Sequence, residues 1–326
     1  MRIGIDNYGL HPLGLSPLET IQWAIDHKAD GVAFSGLNEN DQKLITPDYL
    51  RDIRQFASEY DLYIEWGGAQ HIPLDMGSWA AKDIFEVNRK AASEAEALGT
   101  GIVRSCSGGL MRWKPDSPAT DIFLQEMAGA LKAQRQMLID CNVILAIETH
   151  FEFTTHELRR LFEMCEAEPG EYLGICLDTM NLMTMLEDPI SATERILPYV
   201  VSTHIKDGGI LLNDDGMVSF PTEIGNGVID IIKIINQLET LPWDIDLSVE
   251  DHGGDFPLPI FDPAFLSEFP DLTTHEMTEI LLLTRQTQRK QEAGECIVVD
   301  REEWADHCEI RIAQDITALK KLMDNR

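Results

Sequence analysis

The stretch ILAIE at 144–148 is a short apolar run that ends in a carboxylate, and the same pattern returns three times along the chain. LGICLD ends at Asp178, VVSTH at His204 and DLSVE at Glu250. Successive polar ends are 30, 26 and 46 positions apart. A (β/α)8 barrel of roughly 250 residues has about 30 residues per strand-and-helix unit. The spacing therefore places each polar residue at the end of a new barrel strand.

Strand-like and helix-like runs alternate around these four, which is typical of a parallel sheet with crossover helices. Helices are predicted after Ser16 and Thr46, because each is an N-cap residue followed by Pro, and a long helix is predicted over 78–98. Eight strands are predicted, at 2–8, 31–37, 62–68, 102–108, 144–150, 173–179, 200–206 and 246–252. The fold class is therefore α/β, a (β/α)8 TIM barrel over residues 1–253.

Residues 254–326 exceed what a barrel needs. They open with FPLPIFDP, which is too rich in proline for a central strand, and then give helical patterns over 273–291 and 302–323. We expect a C-terminal helical extension packed on the barrel or on a partner.

Composition restricts the classes of partner. Asp and Glu total 56 against 26 Lys and Arg, for a net charge of −30. Such a surface repels phosphate backbones and anionic headgroups, so we expect no nucleic-acid or membrane partner. The six Cys form no C-x-x-C pair, and no stretch of 18 apolar residues or secretory leader is evident. These features predict reduced thiols and a cytoplasmic enzyme.

The four strand-end residues predict a metal site, because the ends of parallel barrel strands converge at one mouth. Glu148, Asp178, His204 and Glu250 together offer three carboxylates and one imidazole. That ligand set suits one divalent ion, with Mn first and Mg, Co or Zn as alternatives.

Side chains two apart on a strand share a face, which brings further residues to this mouth. His150 follows Glu148 and is either a general base or a hydrogen-bond partner of a ligand. Lys206 either contacts the substrate or pairs with Asp207. Two more residues, His252 and Arg104, are predicted substrate contacts, and Glu65 at the end of the third strand is another.

The chemistry that suits such a site is proton abstraction beside a carbonyl. A metal chelated by a carbonyl and a neighbouring hydroxyl would stabilise the enediolate formed when a carboxylate or His removes the α-proton. Glu148 and Glu250 lie on non-adjacent strands and could flank the substrate. Transfer of the proton between faces and expulsion of a β-substituent or CO2 both stay open. The G-N-G at 225–227 superficially resembles a phosphate loop but lacks its GK[ST], so the signal for phosphate binding there is weak.

The segments IETH, LDTMN, STHIKD, GNGVID and SVEDH resemble the xylose isomerase-like barrel family over roughly residues 1–253. In sugar epimerases of that family the two Glu ligands are also the acid/base pair, which implies this role for Glu148 and Glu250. The chain departs from those epimerases in two places. Asn181 stands where many have a His, three residues after the ligand Asp, and no Arg follows the ligand His in IKDGGILL.

Two other stretches, ETHFEFTTHEL and HGGDFPLPIFDPAFLSEFPDL, resemble a branch with lyases that act on 3-oxo sugar derivatives. That branch includes 3-oxo-isoapionate decarboxylase and the α subunits of bacterial C-glycoside deglycosidases. The resemblance implies that His150 is the base for a β-elimination and that a small β-barrel subunit binds.

The expected function is accordingly a divalent-metal-dependent lyase that enolises a 3-oxo sugar derivative and cleaves a carbon substituent. The alternative is a metal-dependent sugar isomerase or epimerase. The family also contains abasic-site endonucleases, but the net charge of −30 argues against DNA binding. A non-catalytic scaffold would not need Lys206, His150 and Glu65 around its metal. We expect a small-molecule sugar substrate and an oligomeric assembly.

Overall fold

Eight parallel strands close into a barrel in the computed structural model, which describes residues 1–106 and 109–326. The order around the barrel is β1-β10-β7-β6-β5-β4-β3-β2. The predicted TIM barrel is therefore confirmed. The strands of the described chain are β1 Ile3–Asp6, β2 Gly31–Phe34, β3 Tyr63–Ala69, β4 Ile102–Ser105, β5 Ile144–Glu148, β6 Leu173–Asp178, β7 Val200–Ile205, β8 Asp207–Asn213, β9 Gly216–Thr222, β10 Leu247–Val249 and β11 Phe256–Leu258.

Helices cover the outside of the barrel, and several begin at side-chain caps. Ser16 and Thr154 each form a capping box with the Glu three residues later, and Thr46 accepts from the amide of Tyr49. The α-helices of the described chain are α1 Pro17–Asp26, α2 Glu39–Leu44, α3 Pro47–Glu59, α4 Phe85–Leu98, α5 Thr120–Asp140, α6 Thr155–Met164, α7 Asn181–Thr184, α8 Pro189–Ile196, α9 Ile231–Leu238, α10 Pro263–Ser267, α11 Thr274–Glu292 and α12 Trp304–Asp324. None of them is long and apolar enough to cross a membrane.

Several predicted boundaries were wrong. Strand β1 ends at Asp6 because that side chain accepts from the amide of Tyr8 and starts a 3-10 helix. The helix predicted over 78–98 begins only at Phe85. The predicted fourth strand stops at Ser105, and its last two residues, 107–108, lie outside the described residues.

A hairpin that the sequence pattern did not predict rises directly from the end of β7. Strands β8 and β9 pair antiparallel, and β11 adds to β9 to complete a three-stranded sheet. Helix α11 lies along β8, where Thr287 Oγ1 accepts from the amide of Ile210 at 3.1 Å. The C-terminal helices therefore pack on this sheet as well as on the barrel.

The Gly-rich loop at 225–227 holds a side chain of the protein itself. The Asp207 carboxylate accepts backbone hydrogen bonds from Gly208, Gly225, Gly227 and Ile229 at 2.8–3.1 Å. A Cβ at Gly227 would lie 2.0 Å from Asp207 Oδ1, so only glycine allows this approach. The amides that would bind a phosphate are used to fix the base of the hairpin.

Two contacts tie the C-terminal helices to the barrel. Trp304 is buried at the start of α12, and its Nε1 donates to the carbonyl of Gly9 at 3.0 Å. Arg195 on α8 pairs with Glu187 at 2.7 Å and with Glu276 on α11 at 2.6 Å. Buried residues on both sides therefore connect the extension to the barrel.

Candidate metal centre and the mouth cavity

Four buried side chains meet at the carboxyl ends of the barrel strands: Glu148, Asp178, His204 and Glu250. Their ligand atoms all lie within 4.8 Å of one another, and we call them the four-residue cluster. The sheet register explains the convergence, since Asp178 pairs with His204 across β6 and β7. The structure thus brings together the four side chains that the strand-end pattern singled out.

The chemistry of the cluster fits a divalent ion. His204 is fully buried, and neither ring nitrogen makes a hydrogen bond to the described part of the chain. Its Nδ1 lies 3.3 Å from Glu250 Oε2 and 3.5 Å from Glu148 Oε1. An unbonded imidazole among three carboxylates is expensive to bury. A cation held by Nδ1 and the carboxylates would satisfy all four groups, and oxygen-rich sites with one imidazole suit Mn²⁺, Mg²⁺ or Zn²⁺.

Asp6 lies on the other side of the His204 ring. Its Oδ2 is 3.3 Å from Nε2, and it also accepts a hydrogen bond from Ser35 Oγ. A carboxylate opposite the coordinating nitrogen fixes the tautomer and the orientation of a histidine ligand. Asp6 ends β1 in the run RIGID and therefore carries the same strand-end signal as the cluster, although the sequence analysis did not select it.

Arg104 on β4 forms an ion pair with Glu148, and its Nη1 donates to the carbonyl of Ser35 at 3.1 Å. Burial opposes ionisation of Glu148, but Arg104, His204 and His150 together outweigh it and hold the pKa of this carboxyl below its ordinary value. Arg104 thus contacts a cluster residue directly, and it also lines the cavity described below.

Lys206 places its Nζ 2.8 Å from Asp178 Oδ2 and in contact with Glu250 Oε2. Although burial disfavours its charge, these carboxylates raise the pKa of Lys206, which is therefore an ammonium. Lys206 pairs with the cluster, whereas Asp207 turns away into the Gly-rich loop. The alternative that Lys206 pairs with Asp207 is wrong.

His150 has a carboxylate partner of its own. Its Nδ1 lies 3.1 Å from both oxygens of Glu152, and Glu152 also accepts from the amide of Gly109 at 2.8 Å. Burial lowers the pKa of His150, but the charge and hydrogen bond of Glu152, together with the charge of Glu148, outweigh it, and the net direction is upward. With Nδ1 donating to Glu152, the ring faces the cavity through Nε2. Glu152 lies beyond the strand end, in loop sequence without periodicity.

A cavity of about 630 Å³ lies over the four-residue cluster, and we call it the mouth cavity. Its size is that of ordinary small-molecule sites. His252 is in its wall, and burial together with Lys206 lowers the pKa of His252 to about 3, so this ring is neutral. The other lining residues are Tyr8, Ser35, Gly36, Arg104, Cys106, Gly109, Leu110, Glu148, His150, Phe151, Lys206, Glu250, Phe256 and Arg301.

Glu65 is the one predicted substrate contact that does not line the mouth cavity. Its carboxylate lies inside the barrel and accepts from Ser202 Oγ, two residues before His204. It borders a separate cavity of about 610 Å³ lined by residues at strand starts, such as Ile102 and Ile144. The sequence pattern predicted Glu65 at the end of its strand, but the strand runs on to Ala69 and leaves Glu65 below the mouth.

Comparison with known proteins places the fold in a family. A sequence profile described as xylose isomerase-like TIM barrel matches residues 21–265. The protein YihM of Escherichia coli K12, itself uncharacterized, is 26% identical over 148 residues. That alignment covers 45% of this chain and 44% of YihM, so the chain matches less than half of the relative's length.

Solved structures share the fold at low sequence identity. A D-allulose 3-epimerase from Methylomonas sp. is 14% identical with a TM-score of 0.61, covering 98% of this chain and 97% of that one. The IolI protein, solved with a binding zinc atom, is 14% identical with a TM-score of 0.59, covering 90% and 99%. Since the profile matches most of the chain and the barrel closes in the expected order, the chain belongs to the xylose isomerase-like TIM barrel family of enzymes.

Proposed function

We propose that this protein is a divalent-metal-dependent lyase that enolises a 3-oxo sugar derivative and cleaves the bond to a carbon substituent. The substituent is either an aglycone carbon or a carboxylate. The observation that carries the proposal is the unequal pairing of the basic groups around the mouth cavity. Glu148 and Glu250 are each paired with a cation, whereas His150 is paired with a carboxylate.

This pairing favours one-sided proton transfer. An epimerase that uses two Glu needs a proton acceptor on each face of the substrate. Arg104 beside Glu148 and Lys206 beside Glu250 both stabilise the ionised carboxylates and weaken them as bases. His150 gains basicity from Glu152, as imidazole does beside a carboxylate in other dyads.

A divalent ion held by the four-residue cluster would supply Lewis acidity toward the 3-oxo group. His150 Nε2 takes the α-proton, and Glu152 stabilises the imidazolium that results. The electron pair of the broken C–H bond forms the enolate of the ketone. When the ketone re-forms, the β-substituent leaves with the electrons of its own bond. The leaving carbon takes its proton back from His150. For a carboxylate substituent no α-proton is removed: CO2 leaves first, the electrons of the broken C–C bond form the enolate, and His150, protonated beforehand, gives its proton to the carbon that lost CO2. Lys206 offers an ammonium N–H to the oxygen that gains charge.

The test uses manganese-loaded protein in deuterated water with two substrates, a 3-oxo-C-glucoside of a phenol and a 3-oxo sugar acid. We expect the protein to release the phenol or CO2 only when the metal is present. His150→Ala should slow release of the phenol by about 10²–10⁴-fold, the usual range for a general base. His275→Ala is the control, because its imidazole is exposed on α11.

Three outcomes are distinguishable. Metal-dependent fragmentation that His150→Ala slows supports the lyase. Deuterium entering the α-carbon of a ketose without fragmentation would contradict it and establish the isomerase or epimerase instead. Full turnover in His150→Ala would exclude the mechanism in which this residue is the base.

A further inference from the structure

Arg301 lines the mouth cavity although it belongs to the C-terminal extension. It precedes α12 and shares the cavity wall with His150, Lys206 and His252. The periodicity of the barrel strands gives no sign of this residue. The extension thus contributes a cation to the space above the four-residue cluster.

The backbone on both sides of Arg301 is fixed. Val299 accepts from the amide of Gly254 at 2.8 Å, and Trp304 is 1% exposed in its pocket beside Gly9. Gly254 has φ +82, and a Cβ there would lie 3.0 Å from Arg301 Nε. Because Gly254 has no side chain, the Arg301 side chain can pass close to its backbone. The direction of the guanidinium follows from this packing.

The guanidinium contacts an imidazole and an aromatic ring. Its Nη2 lies 3.0 Å from His252 Nδ1, and its carbon lies 5.8 Å from the centre of the Phe256 ring. Across residues 1–106 and 109–326, no carboxylate lies within ion-pair distance of Arg301, although the chain carries a net charge of −30.

The other two cations of the mouth cavity are already neutralised. Arg104 pairs with Glu148, and Lys206 pairs with Asp178 and Glu250. A planar guanidinium with free N–H groups binds a carboxylate in a bidentate manner. We propose that Arg301 recognises a carboxylate on the substrate, remote from its carbonyl, so that the protein prefers a sugar acid to a neutral glycoside among the substrates proposed above.

A carboxylate suits the local charge better than a phosphate does. One guanidinium balances one negative charge, whereas a phosphate monoester brings nearly two into a cavity that the carboxylates of Glu148 and Glu250 already line. No second unpaired cation lines the described cavity wall to balance the excess. The inference rests on the proposed function, because it takes the mouth cavity as the substrate site.

The experiment measures binding to the manganese-loaded protein by calorimetry with three probes that differ only at C6: D-fructose, D-fructuronate and D-fructose 6-phosphate. We expect D-fructuronate to bind at least about tenfold more tightly than D-fructose, as a charge-assisted hydrogen bond provides. Arg301→Gln should abolish that difference, and Arg301→Lys should restore part of it. Arg285→Gln is the control, since Arg285 is exposed on α11 outside the cavity.

Each result has one meaning. A preference for D-fructuronate that Arg301→Gln abolishes supports the assignment. Equal binding of acid and neutral sugar, a preference that survives in Arg301→Gln, or a greater preference for the phosphate overturns it. If D-fructose binds only in the presence of manganese and D-fructuronate binds no more tightly than D-fructose, the inference fails and the proposed function stands. If none of the three probes binds, the inference is contradicted, whereas the proposed function is contradicted only if the 3-oxo substrates of the preceding test are not cleaved.

Discussion

His204 illustrates how much one residue depends on neighbours from distant strands. Its Nδ1 faces Glu148 and Glu250, while Nε2 faces Asp6 at 3.3 Å. With a metal on Nδ1, the proton is on Nε2 and the Asp6 carboxylate is the acceptor within reach. Asp6 is then a positioning residue for the metal site.

Replacing Asp6 with Asn keeps the shape and the capping oxygen but removes the charge. We expect Asp6→Asn to weaken manganese binding by about 10–100-fold, the usual effect of removing a carboxylate behind a histidine ligand. Metal titration followed by calorimetry measures it. Asp26→Asn, on the surface of α1, is the matched control. Equal affinity in wild type and Asp6→Asn would show that Asp6 does not act through His204.

The raised pKa of Glu65 makes the stability of the folded protein depend on pH. Burial raises its pKa to about 7, and the hydrogen bond from Ser202 only partly opposes this. The folded protein therefore holds this proton more tightly than the unfolded chain. Stability from this group is complete below about pH 4.5 and is lost as the pH rises through 7.

We expect the free energy of unfolding to fall by about 3 kcal/mol from this group between acidic pH and pH 8. Glu65→Gln, which mimics the protonated form, should show a flatter pH profile. Urea unfolding in EDTA at pH 5 and pH 8 compares the two, with exposed Glu59→Gln as control. Parallel profiles of wild type and Glu65→Gln would contradict the raised pKa.

The residues that the sequence revealed are those at strand ends, where an apolar run gives way to a polar side chain. Glu148, Asp178, His204 and Glu250 all belong to this class. Glu152 and Arg301 were not predicted as site residues because they lie in irregular segments, whose positions depend on tertiary contacts that no periodic pattern encodes.

Among the elements, the β8–β9 hairpin shows where prediction by pattern fails. Its sequence begins with DGG and contains Pro221, so it does not match a regular strand. It forms because Asp207 collects four backbone N–H groups and α11 covers β8. The barrel strands were predictable because both faces are buried and their runs are almost wholly apolar.

Asp207→Asn should destabilise the hairpin, because an amide nitrogen would face backbone donors and leave at least one of them unsatisfied. We expect a loss of about 2–4 kcal/mol in the free energy of unfolding. Urea denaturation at neutral pH measures it, with Asp214→Asn in the exposed hairpin turn as control. A change no larger than that of the control would mean that the loop does not depend on this carboxylate.

At the scale of the whole molecule, the C-terminal extension both stabilises the barrel and completes the mouth cavity. Trp304 anchors α12 against Gly9, and Arg311 pairs with Asp251 at 2.7 Å, beside Glu250 of the four-residue cluster. The sequence predicted helices here but gave no sign of their contacts. The expected oligomer and small second subunit stay predictions.

Trp304→Ala removes the largest fully buried side chain of the protein. We expect a loss of about 3–5 kcal/mol in the free energy of unfolding, since both the apolar burial and the packing around it disappear. Thermal or urea unfolding measures this loss. Phe261→Ala is the control because Phe261 is 60% exposed. Equal stability of the two variants would mean that the extension contributes little to the fold.

The proposed lyase requires that the four-residue cluster bind one divalent metal ion. Diffraction from a crystal soaked in manganese chloride, recorded near the manganese absorption edge, locates such an ion. We expect one anomalous peak per chain, surrounded by Glu148, Asp178, His204 and Glu250, and no such peak in Asp178→Ala. A peak elsewhere, or none at the cluster, would contradict it.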